Sequence, residues 1–179
     1  MNLRSESLTA PGFMSVSTVD TGDLPVKIGE VRAWCRAPES VDDPILYSLV
    51  SEVISQAEEE FNLTIINKTV TATFQYGSLE LVLPYAPVLA ITSVVWDGVT
   101  LAADDYTRTG ELLRFDRTRT GQVVVTYTTG YSQVPSGLIL AIKKAVLSSY
   151  DDREDIAQGG IAELPSSSRR MFRKFKNYP

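Results

Sequence analysis

The sequence contains no histidine and a single cysteine, Cys35. Without imidazole, Ser-His-Asp and Cys-His nucleophile pairs are excluded, along with histidine-built zinc sites and histidine pH switches. A single thiol makes neither an intrachain disulfide nor a four-thiolate metal site. No such staple is needed, because a chain of 179 residues buries roughly 70% of its unfolded surface. The cysteine usage fits a reducing compartment. Long apolar runs are missing too. Val123-Val124-Val125 falls far short of the ~20 residues that span a bilayer. Residues 1–20 mix Arg4, Glu6 and several hydroxyls, which is not the pattern of a signal peptide. The expectation is a soluble protein made in a cytoplasm, with no membrane partner. Carboxylates, hydroxyls, lysines and one thiol remain for chemistry, so composition points away from an enzyme.

What is present divides the chain. Residues 1–24 are rich in Ser and Thr and read as an arm, either a disordered leader or a segment that docks on a neighbouring subunit. A domain is expected over 25–158, followed by a linker and tail over 159–179. Within the domain, Ile28, Val31, Trp34 and Cys35 form one apolar stripe, which predicts a helix over 26–36 that Pro38 ends. Cys35 on that stripe reads as a buried small hydrophobe. Asp43 as cap and Pro44 in the first turn open a second helix over 44–62. Its apolar positions run from Leu46 to Phe61. Glu58, Glu59 and Glu60 sit at the end where the helix dipole disfavours anions. They are either a solvated face or the seat of a basic partner.

From 65 to 128 the period changes to two. Thr69 to Phe74, Leu79 to Leu83, Ile91 to Trp96, Leu112 to Phe115 and Gln122 to Thr128 alternate as strands. Asp97-Gly98 marks a hairpin. No crossover helix separates the strands, so they are expected to be antiparallel. Leu138, Ile139, Ile142, Ala145, Val146 and Tyr150 predict a third helix over 135–152. The fold class is therefore α+β, a small helical bundle with an inserted antiparallel β section.

The tail departs in charge. Arg169, Arg170, Arg173, Lys174 and Lys176 place five positive charges in the last eleven residues, with no acid among them. The whole chain has 17 basic and 22 acidic residues, so without the tail it carries 12 and 22, a net −10. Met171, Phe172, Phe175 and Tyr178 interleave apolar groups at near-helical spacing. The segment reads either as a solvated charge run or as a binding element for nucleic acid, anionic lipid or an acidic groove on a protein. Among the binding readings, the interleaved aromatics favour a protein that the tail folds against. The candidate partner-binding residues are Arg169, Arg170, Phe172, Arg173, Lys174, Phe175, Lys176 and Tyr178.

Other chemistry is sparse. The pairs Asp42-Asp43, Asp104-Asp105 and Asp151-Asp152 are sequence neighbours that point in different directions, so adjacency makes no acid/base dyad. No calcium loop and no phosphate loop with its lysine appears. Trp96, Tyr127, Tyr131 and Tyr150 read as core or interface aromatics before ligand-stacking ones. No catalytic, metal or cofactor site is assigned.

The order of these elements resembles a family. Leu24-Pro25-Val26-Lys27-Ile28-Gly29-Glu30-Val31-Arg32-Ala33-Trp34-Cys35-Arg36 is similar to the opening helix of head–tail connector (adaptor, or head-completion) proteins of long-tailed bacteriophages and gene transfer agents. Asp42-Asp43 before a long helix, Leu83-Pro84-Tyr85-Ala86-Pro87-Val88, the Asp97-Gly98 hairpin, Val123 to Tyr131, Val134-Pro135 and Tyr150-Asp151-Asp152-Arg153-Glu154 follow in the family's order. The resemblance covers about 24–155; Lys27 departs from it, standing where a Ser or Thr cap is common. It implies a structural virion protein without catalysis, located at the head–tail junction. Such proteins form a ring of identical subunits, usually a dodecamer, beneath the portal protein. The ring extends the channel through which DNA passes without sequence-specific contacts, and offers a surface to a stopper or tail protein. Two other readings stand beside it: a nucleic-acid-binding module acting through the tail, and a carboxylate-dependent hydrolase.

Overall fold

A computed structural model of the chain describes residues 13–37, 42–75, 79–117, 120–151 and 164–176. It divides into two units, each assembled from separate stretches of sequence: Met1–Gly22 with Ile66–Ser132, and Asp23–Ile65 with Gln133–Tyr178. The first is a β unit and the second is helical, so the chain is α+β as expected.

In the β unit the strands are β1 (Phe13–Asp20), β2 (Lys68–Phe74), β3 (Glu80–Val82), β4 (Val88–Trp96), β5 (Val99–Thr100), β6 (Tyr106–Thr109), β7 (Leu112–Phe115) and β8 (Val123–Thr129). They form a five-stranded sheet in the order β1-β2-β8-β4-β5 and a three-stranded sheet in the order β3-β7-β6. Every pairing is antiparallel. Alternation decides which face is buried. Val70, Ala72 and Phe74 of β2 and Val123, Val125 and Tyr127 of β8 join Val94 and Trp96 of β4 in one core. Leu81, Leu113 and Phe115 of the smaller sheet belong to the same core. The opposite face of the larger sheet carries Thr69, Thr71, Thr73, Thr126 and Thr128, with Thr71 paired to Thr126 across the ladder.

The turns explain themselves locally. Asp97 and Gly98 both have positive φ, 50° and 80°, the two left-handed positions of a type I′ hairpin. Trp96 and Tyr127 are core aromatics with their polar tips satisfied, as burial requires. The Trp96 indole donates to the Thr120 carbonyl at 3.0 Å and its ring meets Phe115 edge-on, centroids 4.8 Å apart. The Tyr127 hydroxyl donates to the Pro84 carbonyl. Burial, with a smaller contribution from Tyr85, raises the Tyr127 pKa far above the ordinary tyrosine value. Gly130, at φ 113°, closes against Asn67, and a Cβ there would collide with the Asn67 side chain.

The arm expected over 1–24 is corrected by β1. Residues 13–20 are the edge strand of the larger sheet, paired along β2 from Phe13↔Phe74 to Asp20↔Lys68. The hydroxyl-rich composition that suggested disorder, Ser15, Ser17 and Thr18, is that of a strand whose ladder partner carries three threonines, a β-branched residue favoured in sheets. Residues 1–12 lie outside the described residues.

The helical unit contains α1 (Ile28–Cys35), α2 (Asp43–Phe61), α3 (Ser136–Asp151) and α4 (Ser166–Phe172), with a 3-10 turn over Arg173–Phe175. Val31 and Cys35 of α1, Leu46 to Phe61 of α2, and Leu138 to Tyr150 of α3 bury one stripe each. Burial also raises the Cys35 pKa, with Asp151 adding to it. Lys27, at the cap of α1, makes no side-chain capping bond.

Polar clamps join the helices at their ends. Arg32 grips Asp43 with two bonds, 2.8 and 2.7 Å. Lys143 meets Glu30 at 2.8 Å and, with its hydrogen bond foremost, lowers the Glu30 pKa. The Tyr150 hydroxyl donates to Asp42 at 2.5 Å. The expected capping role of Asp43 is therefore not what its carboxylate does: Asp42 occupies the cap position, and Asp43 pairs with Arg32. Among the described residues no helix is long and apolar enough to cross a membrane.

Candidate partner-binding surface

The basic tail begins as structure belonging to the helical unit. Leu164, Ser168 and Phe172 are buried at i, i+4 and i+8, so α4 lays one face inward. Phe172 is 0% exposed. Its ring stacks on Phe61, with centroids 5.9 Å apart and planes inclined by 24°. That corrects the assignment of Phe172 to an external partner: its partner is the end of α2. Burying a phenylalanine stabilises by about 1.5–3 kcal/mol relative to leaving it in water, a gain that a wholly solvated tail would forgo. Phe175 is half-buried, and a Cβ on Gly137 would come within 3.1 Å of its ring. Gly137 thus makes room for the 3-10 turn.

The charges sort by the same geometry. Arg169 meets Glu60 at 2.9 Å, so the basic partner foreseen for the acidic end of α2 is the chain's own tail. Glu58 accepts the Ile65 backbone N–H at 2.7 Å. Arg169 and Arg170 occupy the last turn of α4, where cations suit the helix dipole. Arg170, Arg173, Lys174 and Lys176 are exposed, and Arg173 and Lys174 follow α4 on its 3-10 extension. These four form the cationic surface of the segment. Tyr178 lies outside the described residues.

The other candidates assemble no chemistry. Asp42 and Asp43 are engaged as above. Asp105 accepts the Ala102 N–H at 3.1 Å and lies 3.8 Å from Arg117. Asp152 and the run from Arg153 to Asp155 lie outside the described residues, as does Gly159-Gly160. Among the described residues no group of three or more potential metal-ligating side chains comes together.

No family model matches the sequence, and no curated protein matches it. Solved structures do share its fold. A chain from the neck of an empty gene transfer agent particle, computed with C6 symmetry, superposes with a TM-score of 0.73 at 19% identity, covering 93% of this chain and 97% of the other. A chain from the virion of the native particle gives 0.70 at 19% identity with the same coverage. A chain from the native neck, computed with C12 symmetry, gives 0.69 at 18% identity, again covering 93% and 97%. The fold described above is thus that of gene transfer agent neck and virion chains over nearly the whole length of both.

Proposed function

We propose that this chain is a structural connector of the head–tail junction in a phage-like particle, a ring subunit between the portal protein and a stopper or tail protein. The observation that carries the reading is the shared fold over 93% of this chain and 97% of a neck chain. The C6 and C12 symmetries of the two neck structures support a cyclic assembly of identical subunits, with a dodecamer as the expected ring. An acidic body, net −10 without the tail, suits a channel wall past which DNA slides without being gripped. The work assigned to it is assembly, with no catalytic step. The hydrolase reading finds no support in Asp42, Asp43 or Asp105, whose carboxylates bond to Tyr150, Arg32 and the Ala102 N–H.

Within this reading the exposed cations Arg170, Arg173, Lys174 and Lys176 are the surface that meets the portal. Deleting the last eleven residues would remove Phe172 and Arg169 from the core and the α2 clamp, so charge reversal is the cleaner test. The triple variant Arg170→Glu, Arg173→Glu, Lys174→Glu changes surface groups, each worth within about 0.5 kcal/mol of stability. It is expected to fold normally and lose at least about tenfold in affinity for purified portal rings, since like charges placed across an interface cost several kcal/mol. Undiminished binding would remove this surface from the portal contact.

A further inference from the structure

The two edges of the five-stranded sheet are finished differently. On the β5 side part of the edge is already bonded. Arg108 donates to the Val88 and Leu89 carbonyls at 2.9 and 3.3 Å. The Leu101 N–H reaches the Val94 carbonyl at 2.9 Å, and β5 pairs with Val95 and Trp96. A guanidinium over the edge and a very short last strand are ways of blocking strand addition. Among the described residues the β1 edge has neither. Its eight residues contain no proline, lysine or arginine and only one acid, Asp20, at the end.

The ladder fixes which backbone groups it presents. Thr21 donates to the Asn67 carbonyl at 2.9 Å. Stepping back by twos through the register, Val19, Ser17 and Ser15 face β2, and Val16, Thr18 and Asp20 turn their N–H and C=O groups outward. No described strand lies on that side. Thr18 is exposed and Val19 is 63% exposed.

We infer that β1 is the docking edge for an extended segment of another protein, which adds to the sheet as a sixth strand. Main-chain bonds to Val16, Thr18 and Asp20 supply the affinity. The exposed side chains from Ser15 to Val19 carry no charge, whereas the Asp20 carboxylate, 4.0 Å from Lys68, remains 69% exposed. The segment that fits is uncharged opposite Ser15 to Val19 and carries Lys or Arg at the end beside Asp20. The described strands of a second copy of this chain fit less well. Its β4 edge is partly bonded as above, its β6 has Arg108 engaged on β4, and its β3 is three residues long with Glu80 bonded to Arg114. Pairing β1 with β1 would close a two-fold dimer, which is not a ring contact. The inference rests on the connector reading, so the source of the strand is a neighbouring protein of the particle.

The test is residue-level hydrogen exchange on the full chain, free and in purified particles that contain it. The amides of Val16, Thr18 and Asp20 are expected to slow by about tenfold or more in the particle, with those of Ser17 and Val19 already slow in the free chain. Thr18→Pro removes only an outward N–H. It is expected to leave the melting curve in place and cut incorporation into particles at least about tenfold, whereas Thr18→Val incorporates normally. Equal exchange of the three amides in both states overturns the inference, as does normal incorporation of Thr18→Pro. Protection that appears when the purified chain assembles alone overturns the assignment to another protein. Absence of the wild-type chain from the particles overturns the connector reading itself, a result distinct from the presence of an unprotected edge.

Discussion

Replacing Phe172 with alanine separates a tail that is part of the fold from one that only decorates it. The ring is fully buried and stacks on Phe61, with α4 packed between the end of α2 and α3. Phenylalanine-to-alanine changes at such sites cost about 3–5 kcal/mol, combining lost transfer energy with the cavity left behind. Against the roughly 5–15 kcal/mol by which domains are stable, that is a large fraction. With a urea slope of about 2 kcal/mol per M, the midpoint of the helical circular-dichroism transition should fall by about 2 M. Lys174→Ala, on the exposed side of the same segment, should stay within about 0.5 kcal/mol of the parent. A double-mutant cycle with Phe61→Leu and Phe172→Leu should return a coupling of about 0.5–1.5 kcal/mol from the stacked pair. A Phe172→Ala midpoint indistinguishable from the parent, or a coupling of zero, would refute the docking of α4 and return the whole tail to solvent.

Tyr127 makes a second prediction, with a sign fixed by linkage. Its folded pKa lies far above the unfolded value near 10, so the folded state keeps a proton that the unfolded state loses. Stability is then fully present below about pH 10 and falls above it by roughly 1.4 kcal/mol per pH unit per such group. Tyr127→Phe should flatten that alkaline slope in urea titrations while costing about 1–3 kcal/mol at neutral pH, because the Pro84 carbonyl loses its donor; an unchanged slope would contradict it. Gly130→Ala combines a positive φ with a collision against Asn67 and should destabilise by about 2 kcal/mol or more, read from thermal melts of the β unit; a neutral change would contradict the close approach.

Much of this fold is legible along the chain because its periodic elements are amphipathic in the simple sense. The helix expected over 44–62 is observed as Asp43–Phe61, and that over 135–152 as Ser136–Asp151, each carried by an apolar stripe that a three-helix core must bury. The Asp97-Gly98 turn is legible because two consecutive positive φ values demand those residue types. Two features were hidden by composition. β1 looks like a polar leader because the side chains of an edge strand need little hydrophobicity; its ladder to β2 depends on backbone groups that every sequence has. The tail looks like a charge run because five cations mask a spacing of Leu164, Ser168 and Phe172 that is the signature of a buried helical face. The hydrogen-bonded order of strands within each sheet has no local code at all, since it depends on contacts between residues far apart in sequence.

The connector proposal rests on the fold shared with neck chains, and the position of the chain in a particle is its most direct consequence. Imaging the head–tail junction of particles from cells that make this chain should reveal it as a ring beneath the portal, each subunit with its helical and β units in place, and twelve copies as the expected number. Particles with a complete junction in which no density fits this fold, or in which the chain occupies another part of the structure, would contradict the account.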